Sequence, residues 1–170
     1  ICGLGFYLLF INGQNITKGH IAPYVSNTND ICYYDNYDIA EHLCEGKNVI
    51  GIILGNGFRN PFGGFVWDFH LGDHRGPVCL ALALEAKNAE KAICIECDEQ
   101  FLTHPSPILF DDIRMGCHYD ARQEIAGWDL PGFDASDWTP AEPCEAPRGI
   151  SRLCDTDPIV VTKEVKPISV

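Results

Sequence analysis

Short runs of β-branched and aromatic residues, each closed by glycine, proline or asparagine, recur along the whole chain, and an amphipathic helical period almost never does. A chain patterned this way buries its apolar residues on sheet faces rather than on helical stripes. Phe6–Ile11 is the clearest run, and the Asn12-Gly13 pair behind it is the signal of a two-residue hairpin turn. Further strands are predicted over residues 31–37, 48–54 (an apolar run read as buried on both faces or nearly so), 78–84, 91–97, 108–110, 117–125 and 159–165, with a turn near 86–89 joining the third and fourth of these. One helical turn is expected over 39–43, because Asp38 stands three residues before Glu41, the spacing of a capping box. Eight or so strands with long loops between them predict an all-β fold: an antiparallel β-sandwich of jelly-roll type, with one or two short helical turns. An immunoglobulin-like topology is the alternative.

The 170 residues fit one domain and are enough for a hydrophobic core. Lys and Arg total 12 against 24 Asp and Glu, a formal net charge of −12. Such a surface repels phosphate backbones and anionic bilayers, so neither nucleic acid nor a membrane is an expected partner. No apolar run approaches the length of a membrane-spanning helix. The nine cysteines are an odd number without regular spacing, and several sit inside apolar runs. They are read as mostly reduced, buried thiols rather than a disulfide framework. The chain opens on Ile1-Cys2-Gly3 without an initiator Met or a basic leader, and closes on a strand-like stretch. Both ends read as cuts through a longer protein.

Few residues carry chemistry on their own. His70 and His74 are four apart, a zinc-ligand spacing on a helix, but Gly72 and the surrounding glycines argue against a helix. Cys94 and Cys97 have redox-motif spacing, yet they lie in a strand pattern, away from the helix N-terminus such a thiolate needs. Carboxylates are plentiful, but no pair is marked as a catalytic acid and base, and no nucleophile elbow, phosphate loop or dinucleotide fingerprint occurs. The remaining signal is a long glycine-rich loop over 55–77 that carries Phe58, Phe62, Phe65, Trp67 and Phe69 among Arg, Asn and Asp. Aromatic rings cover the apolar face of a sugar, and amide, carboxylate and guanidinium groups meet its hydroxyl rim.

Eight segments, in order, then resemble one family. They are Gly3-Leu-Gly-Phe-Tyr-Leu-Leu-Phe-Ile-Asn-Gly13, Tyr37-Asp-Ile39, Gly46-Lys-Asn-Val-Ile-Gly-Ile-Ile-Leu-Gly-Asn-Gly-Phe58, Pro107-Ile-Leu-Phe-Asp-Asp-Ile113, Tyr119-Asp-Ala-Arg122, Gly127-Trp128, Pro131-Gly-Phe-Asp-Ala-Ser-Asp-Trp138 and Glu164-Val-Lys-Pro-Ile168. Together they resemble the N-terminal β-sandwich domain of bacterial α-L-rhamnosidases. The resemblance implies a single accessory domain over 1–170, cut from a multidomain, inverting glycoside hydrolase whose catalytic acids lie on an α-toroid elsewhere in the chain. It implies no catalytic residue here. The implied partners are a rhamnose-containing glycan or glycoside and the remaining domains of the parent chain, in the bacterial cytoplasm or periplasm. Phe58 departs from the family's Trp. Gly55-Asn56 stands where calcium-binding relatives have Asp-Asn, which leaves Asp111 and Asp112 as candidate calcium ligands.

Three functions follow as alternatives: a carbohydrate-binding, substrate-positioning module; a structural buttress for the toroid; or a free-standing enzyme, which lacks a catalytic constellation. The candidate sugar site is Asn56, Phe58, Trp67, Asp111 and Asp112. Asn56 and Phe58 follow the strand that ends at Leu54, and the two aspartates follow an apolar run, so both should sit at sheet ends. Asp120 and Arg122 are expected on one face of a strand, with Arg122 buried and paired, so that its loss destabilises the fold.

Overall fold

The computed structural model describes residues 1–63, 68–87 and 92–168. In chain order the strands are β1 (Cys2–Leu4), β2 (Phe6–Ile11), β3 (Gln14–Asn15), β4 (Ile31–Tyr34), β5 (Ile50–Gly55), β6 (Cys79–Ala81) and β7 (Ala83–Lys87). They continue as β8 (Ala92–Glu96), β9 (Leu102–Thr103), β10 (Ile108–Asp112), β11 (Gly116–Tyr119), β12 (Thr139–Pro140) and β13 (Ile150–Leu153). Among the described residues the helical segments are three single 3-10 turns, at Ala40–His42, Phe69–Leu71 and Ala121–Gln123. The fold is all-β, as the pattern of short runs predicts.

β2 organises the core. It pairs antiparallel with β5 along its whole length, and with β3 through the two-residue Asn12-Gly13 turn. Both turn residues have positive φ, 50° and 83°, the geometry that makes Asn-Gly the favoured pair. The Asn12 carboxamide also accepts from the Val49 amide at 2.9 Å and donates to the His42 carbonyl at 2.9 Å. Although β2 is apolar throughout, its burial alternates: Tyr7, Leu9 and Ile11 point inward and Leu8 is exposed. Tyr7, Leu9 and Ala22 form the buried cluster, with Ile16, Tyr37, Ile50, Ile52 and Leu54 packed against it. The Tyr7 hydroxyl donates to the buried Asp35 carboxylate at 2.5 Å and lies 2.9 Å from the Tyr37 hydroxyl. Burial first, and that carboxylate second, push the Tyr7 phenol far above its ordinary range.

The other face of β2 is covered by rings from loops. Phe6 meets Phe58 edge-on at 6.4 Å, and Phe10 meets Trp128 at 5.5 Å. Trp128 stacks on Trp138 at 6.5 Å, and its six-membered ring lies where a Cβ on Gly51 would come within 2.8 Å.

Several expectations need correction. The strand predicted over 31–37 stops at Tyr34 and pairs parallel with β13, so the sandwich is not purely antiparallel. Residues 78–84 divide into β6 and β7, and β5 is half-buried along most of its length rather than buried on both faces. The strand predicted over 159–165 is reduced to one bridge, His20 to Ile159. The strand predicted over 117–125 ends at Tyr119, because the Asp120 carboxylate accepts from the Arg122 amide at 3.1 Å and turns the chain into a 3-10 turn. The Arg122 guanidinium is exposed and folds back on Asp120 at 2.7 Å; it is not a buried strand residue. The turn at Ala40–His42 forms, but its N-cap is Ile39 rather than Asp38: the Asp38 carboxylate accepts from the Ala40 amide at 3.1 Å, and the Glu41 carboxylate lies 3.6 Å from His42. All nine thiols are free, but only Cys32 is buried; Cys44, Cys94, Cys117 and Cys144 are exposed. Of the turn predicted near 86–89, Ala86 and Lys87 lie in β7, paired with Ile93 and Ala92, and residues 88 and 89 lie outside the described residues.

Candidate functional site

β5 delivers its last residue, Gly55, to one end of the sheet, and the chain turns there through Asn56 and Gly57. The Asn56 carbonyl accepts from the amides of Arg59 and Asn60 at 3.1 and 3.2 Å, which closes the turn. Gly57 has φ 50°, and a Cβ there would press on the Phe6 ring at 3.1 Å. Only glycine meets both demands.

β10 reaches the same end and holds this turn. The Asp111 carboxylate accepts from the Asn56 amide at 2.7 and 3.0 Å and from its carboxamide at 2.7 Å. The same carboxamide donates to the Asp111 carbonyl at 3.0 Å, and its oxygen accepts from Asn60 at 2.8 Å. Asp112, one residue on, faces the other way, as strand alternation requires. One of its oxygens accepts from the amides of Arg114 and Met115, both at 2.9 Å, in the turn to β11, and the other from the Phe62 amide at 3.0 Å. These backbone donors, those of Met115 and Arg114 first, hold the Asp112 carboxyl below the usual carboxylate range. The two aspartates therefore bolt the 55–62 segment to β10 at two points.

The structure thus brings Asn56, Phe58, Asp111 and Asp112 to one region, with Phe58 in edge contact with Phe6 and with Phe69 at 6.1 Å. Trp67 lies outside the described residues. The donor set does not fit calcium. That ion needs six to eight oxygen ligands, whereas every carboxylate oxygen here already faces an N–H, and no group of three His, Cys, Asp or Glu converges among the described residues.

A neighbouring groove of about 290 Å³ escaped the sequence reading. Its walls include Tyr24, Tyr33, Phe58 and Phe69, with Thr28 and Arg59 at its polar end. Its lining is drawn from residues 3–6, 23–28, 32–33, 58–59, Phe69 and His74, and no local signal announces that these stretches meet.

Residues 1–163 match the family model described as the α-L-rhamnosidase N-terminal domain. An α-L-rhamnosidase of Formosa agariphila is 38% identical over 144 residues, covering 81% of this chain and 15% of that protein. The structure of the α-L-rhamnosidase from Dictyoglumus thermophilum superposes with a TM-score of 0.88 at 33% identity, over 99% of this chain and 18% of that one. The Streptomyces avermitilis α-L-rhamnosidase complexed with L-rhamnose gives 0.77 at 26% identity, over 86% and 14%. The chain thus spans less than a fifth of the length of these relatives, and it belongs to the α-L-rhamnosidase N-terminal domain family.

Proposed function

We propose that this chain is the non-catalytic accessory module of a longer α-L-rhamnosidase acting on rhamnose-containing glycosides, and that its first task is to dock on and support the remainder of that hydrolase. The observation that carries this reading is uncovered surface. A compact monomer of 18.8 kDa exposes about 8,300 Å², whereas this chain exposes 12239 Å². Apolar side chains contribute to it: Ile159, Val160, Val161, Val165 and Ile168 are all exposed, and every residue of β8 is exposed as well. Exposed apolar area on this scale marks an interface. The test is to express the chain and the remainder of its hydrolase separately and mix them. Co-elution as a stoichiometric complex supports docking; separate elution, with hydrolysis of an aryl rhamnoside unaffected by the module, contradicts it.

A second reading, sugar binding at Asn56, Phe58, Trp67, Asp111 and Asp112, is favoured by the meeting of Asn56, Phe58, Asp111 and Asp112 in one region. The two aspartates face backbone donors there, so in this reading the ring of Phe58 and the indole of Trp67 make the contact. Calorimetry with L-rhamnose tests it: heat that Trp67→Ala removes supports it, and no heat at millimolar sugar contradicts it.

A further inference from the structure

Arg59 is an anomaly in an acidic molecule. The chain carries twice as many carboxylates as cationic side chains, yet no carboxylate among the described residues lies within ion-pair distance of this partly buried guanidinium. One of its terminal nitrogens donates to the Thr28 hydroxyl at 3.2 Å and to the His74 carbonyl. Its Nε is buried without a partner. The thiols of Cys32 and Cys79 feel its charge across the fold, and His74 lines the same groove. Burial pushes both thiols up, so neither supplies a negative charge at neutral pH. A cation withdrawn from water without a counter-charge is costly, and proteins normally pair such groups. The missing partner is therefore an anion from outside.

The groove beside it describes that anion. Its volume, about 290 Å³, suits one small ring and little more. Tyr24 and Tyr33 meet edge-on at 6.0 Å and form an aromatic wall, and Tyr24 is more than half exposed. Phe58 and Phe69 also line the groove. A planar guanidinium favours the two oxygens of a carboxylate, and aromatic walls favour the C–H face of a saturated ring. We propose that this groove binds a carboxylated monosaccharide ring of the uronic-acid class, with its carboxylate on Arg59 and its ring against Tyr24 and Tyr33. The groove borders the docking surface, since Ile159 shares an adjoining hollow with Tyr24 and Phe58, but the proposal does not rest on docking.

The test is an NMR titration of the 170-residue chain with D-galacturonate, D-glucuronate, L-rhamnose and acetate. At least one uronate should shift the signals of 24–33 and 58–59 at least tenfold more tightly than rhamnose or acetate, and more weakly as salt rises. Arg59→Gln should weaken uronate binding at least tenfold. Because Arg59 also ties Thr28 to His74, Tyr24→Ala provides a second variant at an exposed position, with several-fold weaker binding expected. Equal binding of acetate, absence of uronate binding, or uronate binding indifferent to both variants overturns the proposal. Binding by the chain that disappears in the longer hydrolase also overturns it, since a carboxylate of the parent would then fill the groove.

Discussion

Asp112 shows how one carboxylate can decide local structure. It is buried, and it ties three backbone amides from two segments. Asp112→Ala leaves those donors without their acceptor and should lower stability by on the order of 1–3 kcal/mol in urea unfolding. The pH dependence has a defined sign. The folded carboxyl lies below its unfolded value of about 3.9, so its contribution is present above that value and is lost as pH falls through the folded one. The stability gap between the parent chain and Asp112→Asn should therefore be full at pH 6 and close on acidification below about 4; a gap constant down to pH 2 would contradict the assignment. Tyr7→Phe removes the partner of the buried Asp35 and should cost about 1–3 kcal/mol by the same measurement. Arg122→Ala, by contrast, should leave the melting temperature unchanged, because its exposed ion pair with Asp120 is solvated.

At the scale of elements, the predictable parts are those with local causes. Asn12-Gly13 determines the turn between β2 and β3, and the apolar run behind it places β2 over residues 6–11. The overextended strands failed for equally local reasons that compete with propensity: an aspartate side chain captured the backbone after Tyr119 and bent it away from the ladder. The parallel pairing of β4 with β13 had no such signal, since its partners lie more than a hundred residues apart and nothing in either run encodes the match. The candidate site divides the same way. Strand boundaries put Asn56 and Asp111 at sheet ends but left open whether it was the same end; they announced neither the use of each polar atom within the chain nor the groove that Tyr24, Tyr33 and Arg59 share. Gly51 gives a test of element packing: its Cα faces the Trp128 ring across β5. Gly51→Ala should displace that indole, lower stability by about 1–3 kcal/mol and change the near-ultraviolet circular dichroism; an unchanged spectrum would contradict the packing of Trp128 on the sheet.

At the scale of the whole molecule, the family and the surface point the same way. A small buried cluster around β2 supports a chain whose accessible area is about half again that of a compact monomer of its mass. The matched relatives are more than five times longer. The apolar residues over 159–168 and along β8 are the surface that docking would cover. Hydrogen exchange measures this directly, because amides become protected where backbone is packed or bonded. Exchange over 159–168 should be fast in the 170-residue chain and at least tenfold slower in the longer hydrolase, with β2 and β5 equally protected in both. Equal and fast exchange over 159–168 in the two proteins would contradict the account.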